Sequence, residues 1–226
     1  GGGDAPGPGG SAWMASRRAA LVLVAVAAGI PNVTLPTRMD APLLAVGLGA
    51  NLPSACGGPI QTLVAVRPQL DALLRAWAGV SCELVWSPLF RTAPVGGPPG
   101  QPDYVNAALV VELAREPQRA AALELLDQLQ RLELDFGRQR LEHWGPRTLD
   151  LDLLWWGELC CDSKVLQLPH PRWQQRGFVL APLAAIEQRR EQPLPLPSGS
   201  IGLAEQLALS PDSAPQPLRP SPIGWD

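Results

Sequence analysis

Asp150 and Asp152 are separated by a single leucine in the segment TLDLDLLWW at 148–156, and Arg138, Arg140 and Arg147 lie just upstream. Residues two apart in an extended segment share a face. The spacing therefore predicts a strand that sets two carboxylates side by side and turns Leu149, Leu151 and Leu153 toward the core. Adjacent carboxylates repel unless positive charge comes between them. Mg²⁺ accepts one or two carboxylates and completes its shell with water and phosphate oxygens, and arginine forks suit phosphate. An isolated Asp-x-Asp is more often a solvated strand face. Here the apolar run at 153–156 predicts a buried central strand, in which two unneutralised carboxylates are costly. Metal and phosphate are the natural compensation.

The elements that must position this segment follow from periodicity. An apolar run at 43–48 ends in glycines and predicts a strand leading into a loop at 49–58. Ile60, Leu63, Val64, Leu70, Leu73, Leu74 and Trp77 keep helical spacing; Pro68 is expected to kink or restart that helix, and Gly79 suits its C-terminal cap. Strands are expected at 83–91 and 104–113. The glycine- and proline-rich loop between them, 92–103, is too long for a tight hairpin. Pro117 is expected to open a second helix with a core stripe of Leu125, Leu129, Leu132 and Phe136, closed by Gly137. Gln130 and Glu133 fall on its polar side and are solvated by default. The order strand, helix, strand, strand, helix, strand predicts an α/β (α+β) fold, with a ferredoxin-like βαββαβ core, an antiparallel sheet and additional C-terminal elements.

With 226 residues and a net charge of −3, the chain is expected to be one domain plus extensions, without general attraction to nucleic acid. Phosphate must then be held locally by the arginines around 138–147 and 172–176, where His170 also suits phosphate better than zinc. Glycine and proline crowd both ends. The expected organisation is a disordered extension at 1–40, a domain at 41–190, and a poorly ordered proline-rich tail at 191–226. Arg17 and Arg18 followed by an apolar run at 19–30 imitate a secretory signal, but the run is short for a membrane span. The preferred reading is a native start at Met39 with 1–38 an upstream extension; a targeting or anchoring segment is the alternative. The four cysteines fit neither a zinc spacing nor a disulfide framework, which favours a reducing, cytoplasmic location.

Four blocks stand in order along the chain: GLGANL at 47–52, FRT at 90–92 leading to QPDYVNAA at 101–108, WGPRTLDLD at 144–152, and LPHPR at 168–172 leading to RGFVL at 176–180. In these the sequence resembles the 6-hydroxymethyl-7,8-dihydropterin pyrophosphokinases of folate biosynthesis, over about residues 41–190. The resemblance implies transfer of pyrophosphate from ATP to the pterin hydroxymethyl group by a monomer acting on small molecules. It implies Mg²⁺ on Asp150 and Asp152, with Arg138 and Arg147 as the other catalytic residues. Thr92, Tyr104, Asn106 and Phe178 would hold the pterin, with Phe178 stacked on the ring and Tyr104 opposite. Gln130, Glu133, His170, Arg172 and Arg176 would hold ATP, and the 138–147 loop would close over both. Ala50 stands where serine is common, and Leu141 where some relatives carry a basic residue. Two other readings share the Asp-x-Asp: a different Mg²⁺-dependent nucleotide transferase, and a catalytically idle nucleotide-binding regulator.

Overall fold

The apolar run near the start forms β1 (Leu43–Ala50), which lies between β4 (Tyr104–Leu113) and β5 (Asp150–Trp156) and is antiparallel to both. These elements belong to a computed structural model that describes residues 41–138, 146–211 and 215–225. The N-terminal extension and both readings of it lie outside the described residues, as do Arg140, Leu141, His143 and Trp144. On the far side of β4 lie β2 (Cys82–Trp86) and β3 (Phe90–Thr92), paired with it one after the other. The single strand expected at 83–91 is thus two. Pro88 has no N–H for a ladder. Beside it Ser87 bridges instead, its Oγ accepting the Ala108 N–H at 2.9 Å and donating to Pro88 O at 2.7 Å. With β8 (Gln216–Pro217) on β3, the sheet runs β5-β1-β4-β3-β8 with β2 also on β4. This is the ferredoxin-like order with its second strand in two pieces.

Helices α1 (Pro59–Ala78) and α2 (Arg119–Asp135) cover one face. Helix α1 continues through Pro68, because Leu63, Val66, Leu70, Leu74 and Trp77 all stay on its buried side and that packing outweighs one lost hydrogen bond. Gly79 caps it in the left-handed conformation at φ 63°. Pro117 falls just before the α2 N-cap, Gln118, and the expected stripe of Leu125, Leu129, Leu132 and Phe136 is buried. Against these helices the sheet turns Leu44, Val46, Leu48, Ala107, Leu109, Leu151 and Leu153. The other face is covered only in part, by α3 (Gly177–Arg190) and Trp173 over Leu43, Ala45, Ala108, Val110, Leu154 and Trp155. Its uncovered end is where Asp150 and Asp152 stand.

Two expectations are overturned. Strand β5 is an edge strand, paired only with β1. Its apolar run is buried all the same, by the helices on one face, by Trp173 at 4.7 Å from Trp155 on the other, and at the free edge by His170, whose N–H donates to Leu154 O at 2.7 Å. The chain beyond 190 is no loose tail either. It forms α4 (Leu203–Leu209) and β8, and buries Leu194, Leu203 and Trp225. Prolines that rule out a central strand are well suited to an outer one, where no N–H is required on the open side. Among the described residues no helix is long and apolar enough to cross a membrane.

Candidate active site

Strand register places the chemistry-bearing side chains in a row. Asp150 lies opposite Gly49, and Gly49 opposite Asn106; one step along, Asp152 lies opposite Gly47 and Gly47 opposite Ala108. The central strand therefore contributes bare backbone between the carboxylates and the amide. At Gly49 this is required, since a Cβ there would lie 2.9 Å from Asn106 Oδ1. Asn106 is itself fixed, donating from Nδ2 to Thr92 Oγ1 at 2.6 Å. Thr92 comes from the short β3, opposite Tyr104.

Arginines from two segments meet Asp150. Arg138, at the end of α2, lies 2.7 Å from Oδ1, and Arg147 donates to Oδ2 at 2.5 Å. Arg138 also pairs with Glu133, whose Oε1 accepts the Leu151 N–H at 2.7 Å. Glu133 was expected to be solvated; it is 2% exposed. Burial pushes its carboxyl up to about 7, with the Arg138 charge opposing and the Asp150 charge reinforcing. Burial raises Asp152 as well, and the neighbouring Asp150 charge adds to it. His170 is driven down to about 4, first by burial and then by Arg176 and Arg172. It is neutral at pH 7, with Nδ1 accepting the Arg172 N–H at 3.2 Å. That leaves Nε2 as the N–H donor. The Arg176 guanidinium lies 5.4 Å from the Phe178 ring.

A cleft of about 1350 Å³ is lined by Thr92, Tyr104, Asn106, Gln130, Arg138, Arg147, Asp150, Asp152, His170, Arg172, Arg176 and Phe178. Every expected site residue except Glu133 lies on it. Glu133 sits beneath, holding Arg138 and the backbone of β5. No sequence pattern marks a role for Asn51, although it stands in the first block. It is 2% exposed, takes the Arg147 N–H on Oδ1 at 2.8 Å, and donates to Pro102 O at 3.2 Å. Glycines two apart at 47 and 49 leave one strand face bare, which is the sequence signal for such an approach surface. The hairpin of β6 (Cys161–Asp162) and β7 (Gln167–Leu168) lends Ser163, Lys164 and Val165 to the rim.

Among the described residues no three His, Cys, Asp or Glu side chains converge as a complete metal cage. Two carboxylates on one face, one of them raised by burial and by its twin, fit a Mg²⁺ ion that shares its shell with substrate oxygens.

A carboxylate pair beside arginines at the open end of a ferredoxin-like sheet suits a ligand rich in phosphate oxygens. The family model described as 7,8-dihydro-6-hydroxymethylpterin-pyrophosphokinase (HPPK) matches residues 45–188, and the chain belongs to this family. Three relatives named 2-amino-4-hydroxy-6-hydroxymethyldihydropteridine pyrophosphokinase are similar to it. The Synechocystis protein is 40% identical over 143 residues, 60% of this chain and 69% of that one. The Haemophilus influenzae protein is 39% identical over 142 residues, 62% and 79% of the two chains. The Pseudomonas aeruginosa protein is 44% identical over 125 residues, 55% and 70%. A crystal structure of a Plasmodium falciparum HPPK-DHPS with pteroate aligns at a TM-score of 0.45 and 9% identity, over 75% of this chain and 43% of that one, a likeness too slight to carry weight.

Proposed function

We infer that the protein transfers pyrophosphate from ATP to the hydroxymethyl group of 6-hydroxymethyl-7,8-dihydropterin in folate biosynthesis, releasing AMP. The observation that carries this is the family match over 45–188, supported by a carboxylate pair and a pterin-suited amide facing one cleft across a bare glycine strand. The pterin hydroxyl gives up its proton to solvent as its oxygen forms a bond to the β-phosphorus of ATP, the bond from that phosphorus to the α,β-bridging oxygen breaks, and the electron pair leaves on AMP. No covalent enzyme intermediate is required.

The residue roles extend the same reading. Asn106 has one amide hydrogen committed to Thr92 and keeps its remaining donor and its acceptor capacity for the pterin edge. Phe178 would stack on the pterin ring, with Tyr104 opposite. Mg²⁺ would be held by Asp150 and Asp152, and would supply charge neutralisation on the ATP phosphates. Arg138 and Arg147, both paired with Asp150 in this structure, carry the charge that meets the transferring group. Arg172 and Arg176 add charge, and neutral His170 adds an N–H donor that stays bound at pH 7 without titrating. Gln130 lines the cleft as a nucleotide contact, and Glu133 serves ATP indirectly, through Arg138. The enzyme is taken to act as a cytoplasmic monomer, without nucleic acid or membrane.

Incubation with ATP, Mg²⁺ and the reduced pterin alcohol tests the reading. AMP should appear only when the pterin is present. Pterin-independent consumption of ATP would mean a different transferase, and no turnover at all would mean an idle nucleotide-binding protein.

A further inference from the structure

Trp225 is 1% exposed, although it lies in a segment rich in glycine and proline. Its ring meets Trp86 edge-on, 5.5 Å between centroids and 84° between planes, and its Nε1 donates to Ser87 O at 2.8 Å. The Arg67 guanidinium of α1 lies 5.0 Å from both rings, a cation shared by two aromatic faces. Just before it, β8 pairs Pro217 with Phe90 and Gln216 with Arg91, and the Leu218 N–H donates to Leu89 O at 2.7 Å. Gly224 adopts φ +86°, and a Cβ there would come within 3.0 Å of Val64 Cγ1, so the turn before Trp225 is pressed against α1. Five residues of the 86–91 segment, Trp86, Ser87, Leu89, Phe90 and Arg91, are thus fastened from the C-terminal side.

That segment leads directly to Thr92. Strand β3 has three residues and would be a short, weakly held edge without β8. Thr92 Oγ1 accepts the Asn106 amide, and the chain beyond Thr92 enters the loop whose Ala93, Val95 and Gly96 line the cleft. Trp225 itself does not line the cleft.

We propose that Trp225 and β8 form a positioning device for the pterin subsite, holding β3 so that Thr92 fixes the orientation of Asn106. The device acts on one substrate. Asp150, Asp152 and the two arginines paired with Asp150 are set by α2, β5 and Asn51, none of which the C-terminal segment braces by the contacts above. This rests on the reading of Asn106 as the pterin-edge amide, and the test separates the two.

Trp225→Ala, Trp225→Phe and Asn106→Ala are made in the full chain. Each is titrated with a non-hydrolysable ATP analogue plus Mg²⁺, and then with the reduced pterin alcohol in the presence of that complex. Trp225→Ala should weaken pterin about tenfold and leave the ATP analogue within about twofold. Trp225→Phe keeps the ring packing but loses the bond to Ser87, and should restore most of the pterin affinity, leaving a deficit of about threefold. Wild-type pterin affinity in a folded Trp225→Ala protein, or equal loss of both ligands, overturns the proposal. If Trp225→Ala does not fold, Trp225→Phe decides: a pterin deficit without an ATP deficit supports it, and unchanged pterin affinity overturns it. If Asn106→Ala binds pterin normally while the Trp225 variants do not, the role of Asn106 falls, and with it the route through Thr92 and Asn106 by which Trp225 is proposed to act.

Discussion

Asn51 accepts the backbone N–H of Arg147 on its side-chain oxygen at 2.8 Å, across 96 residues of sequence. The clamp is reciprocal, since the backbone N–H groups of Asn51 and Leu52 donate to Arg147 O at 3.0 and 3.1 Å. The resemblance implies a 138–147 loop that closes over the substrates, and these bonds anchor Arg147 at its end. Asn51→Ala would leave a buried N–H unpaired at about 1–3 kcal/mol. Thermal unfolding should fall accordingly. Turnover should drop by more than ATP-analogue affinity, because Arg147 would lose its aim and not its charge. Equal losses in both would mean that Asn51 serves stability alone.

Arg147→Ala should slow transfer about ten- to a hundredfold, corresponding to loss of one charge-assisted contact of roughly 1.5–3 kcal/mol in the transition state. Binding of the ATP analogue should change much less. An intact rate at saturating ATP, with affinity reduced by the full factor, would make Arg147 a ground-state binder.

Asp150→Asn and Asn106→Ala should fail in opposite ways. Asp150→Asn removes one of the two carboxylate charges and leaves Arg138 and Arg147 without their shared partner, so turnover should fall about a hundredfold or more even at saturating pterin. Pterin affinity should suffer less. Asn106→Ala should weaken pterin by about 1–3 kcal/mol and leave Mg²⁺–nucleotide binding near wild type. Calorimetric titration of both variants with each ligand reads all four outcomes.

Acid should act on the unliganded fold through His170. Its value drops from 6.5 in the unfolded chain to about 4 in the fold, so the unfolded chain binds more protons between those limits. The stability associated with a neutral His170 is complete above pH 6.5 and is lost as pH falls toward 4. Glu133 runs the other way: raised from 4.5 to about 7, it favours the fold most below pH 4.5 and loses that contribution as pH rises through 7. His170→Gln should remove the first effect only. Measured against wild type, the variant should become relatively more stable at pH 5 than at pH 7.5, on the order of 1–2 kcal/mol after allowing for partial exposure. A constant difference across that range would show that His170 does not titrate as the structure implies.

Expression from Met39 tests the extension at the N-terminus. Because no block of the family begins before residue 43, the shortened chain should fold and turn over like the full one. A soluble, folded product without turnover would make 1–38 part of the enzyme.

Period two was enough to read Asp150 and Asp152, because alternation along one strand is a local property. Strand β4 was legible as a continuous run, not by alternation, and its ends at Tyr104 and Leu113 coincide with the expected bounds. Where burial came from distant chain, local pattern failed. Strand β5 read as central because its apolar run is covered by Trp173 and bonded by His170, both supplied by sequence that follows it. Glu133 read as solvated because its partners, Arg138 and the Leu151 N–H, arrive from outside the helix. Asn51 carried no periodic signal, its role being set by a segment 96 residues away. The chain beyond 190 was judged by its prolines, while Leu194, Leu203 and Trp225 are too widely spaced to register as a pattern.

Strand β1 serves as a ruler. It separates the strand that carries Asn106 from the strand that carries Asp150, and neighbouring strands lie about 4.8 Å apart. Backbone pairing, two ladders wide, thus fixes the gap between amide and carboxylate at about 10 Å, without any side chain of β1 intervening. A slip of β1 by one residue would turn Gly47 and Gly49 toward the helices and raise Leu48 into the gap. Both substrates would lose their common floor at once. The calibration of the site therefore resides in hydrogen-bond register, which no single wall residue sets.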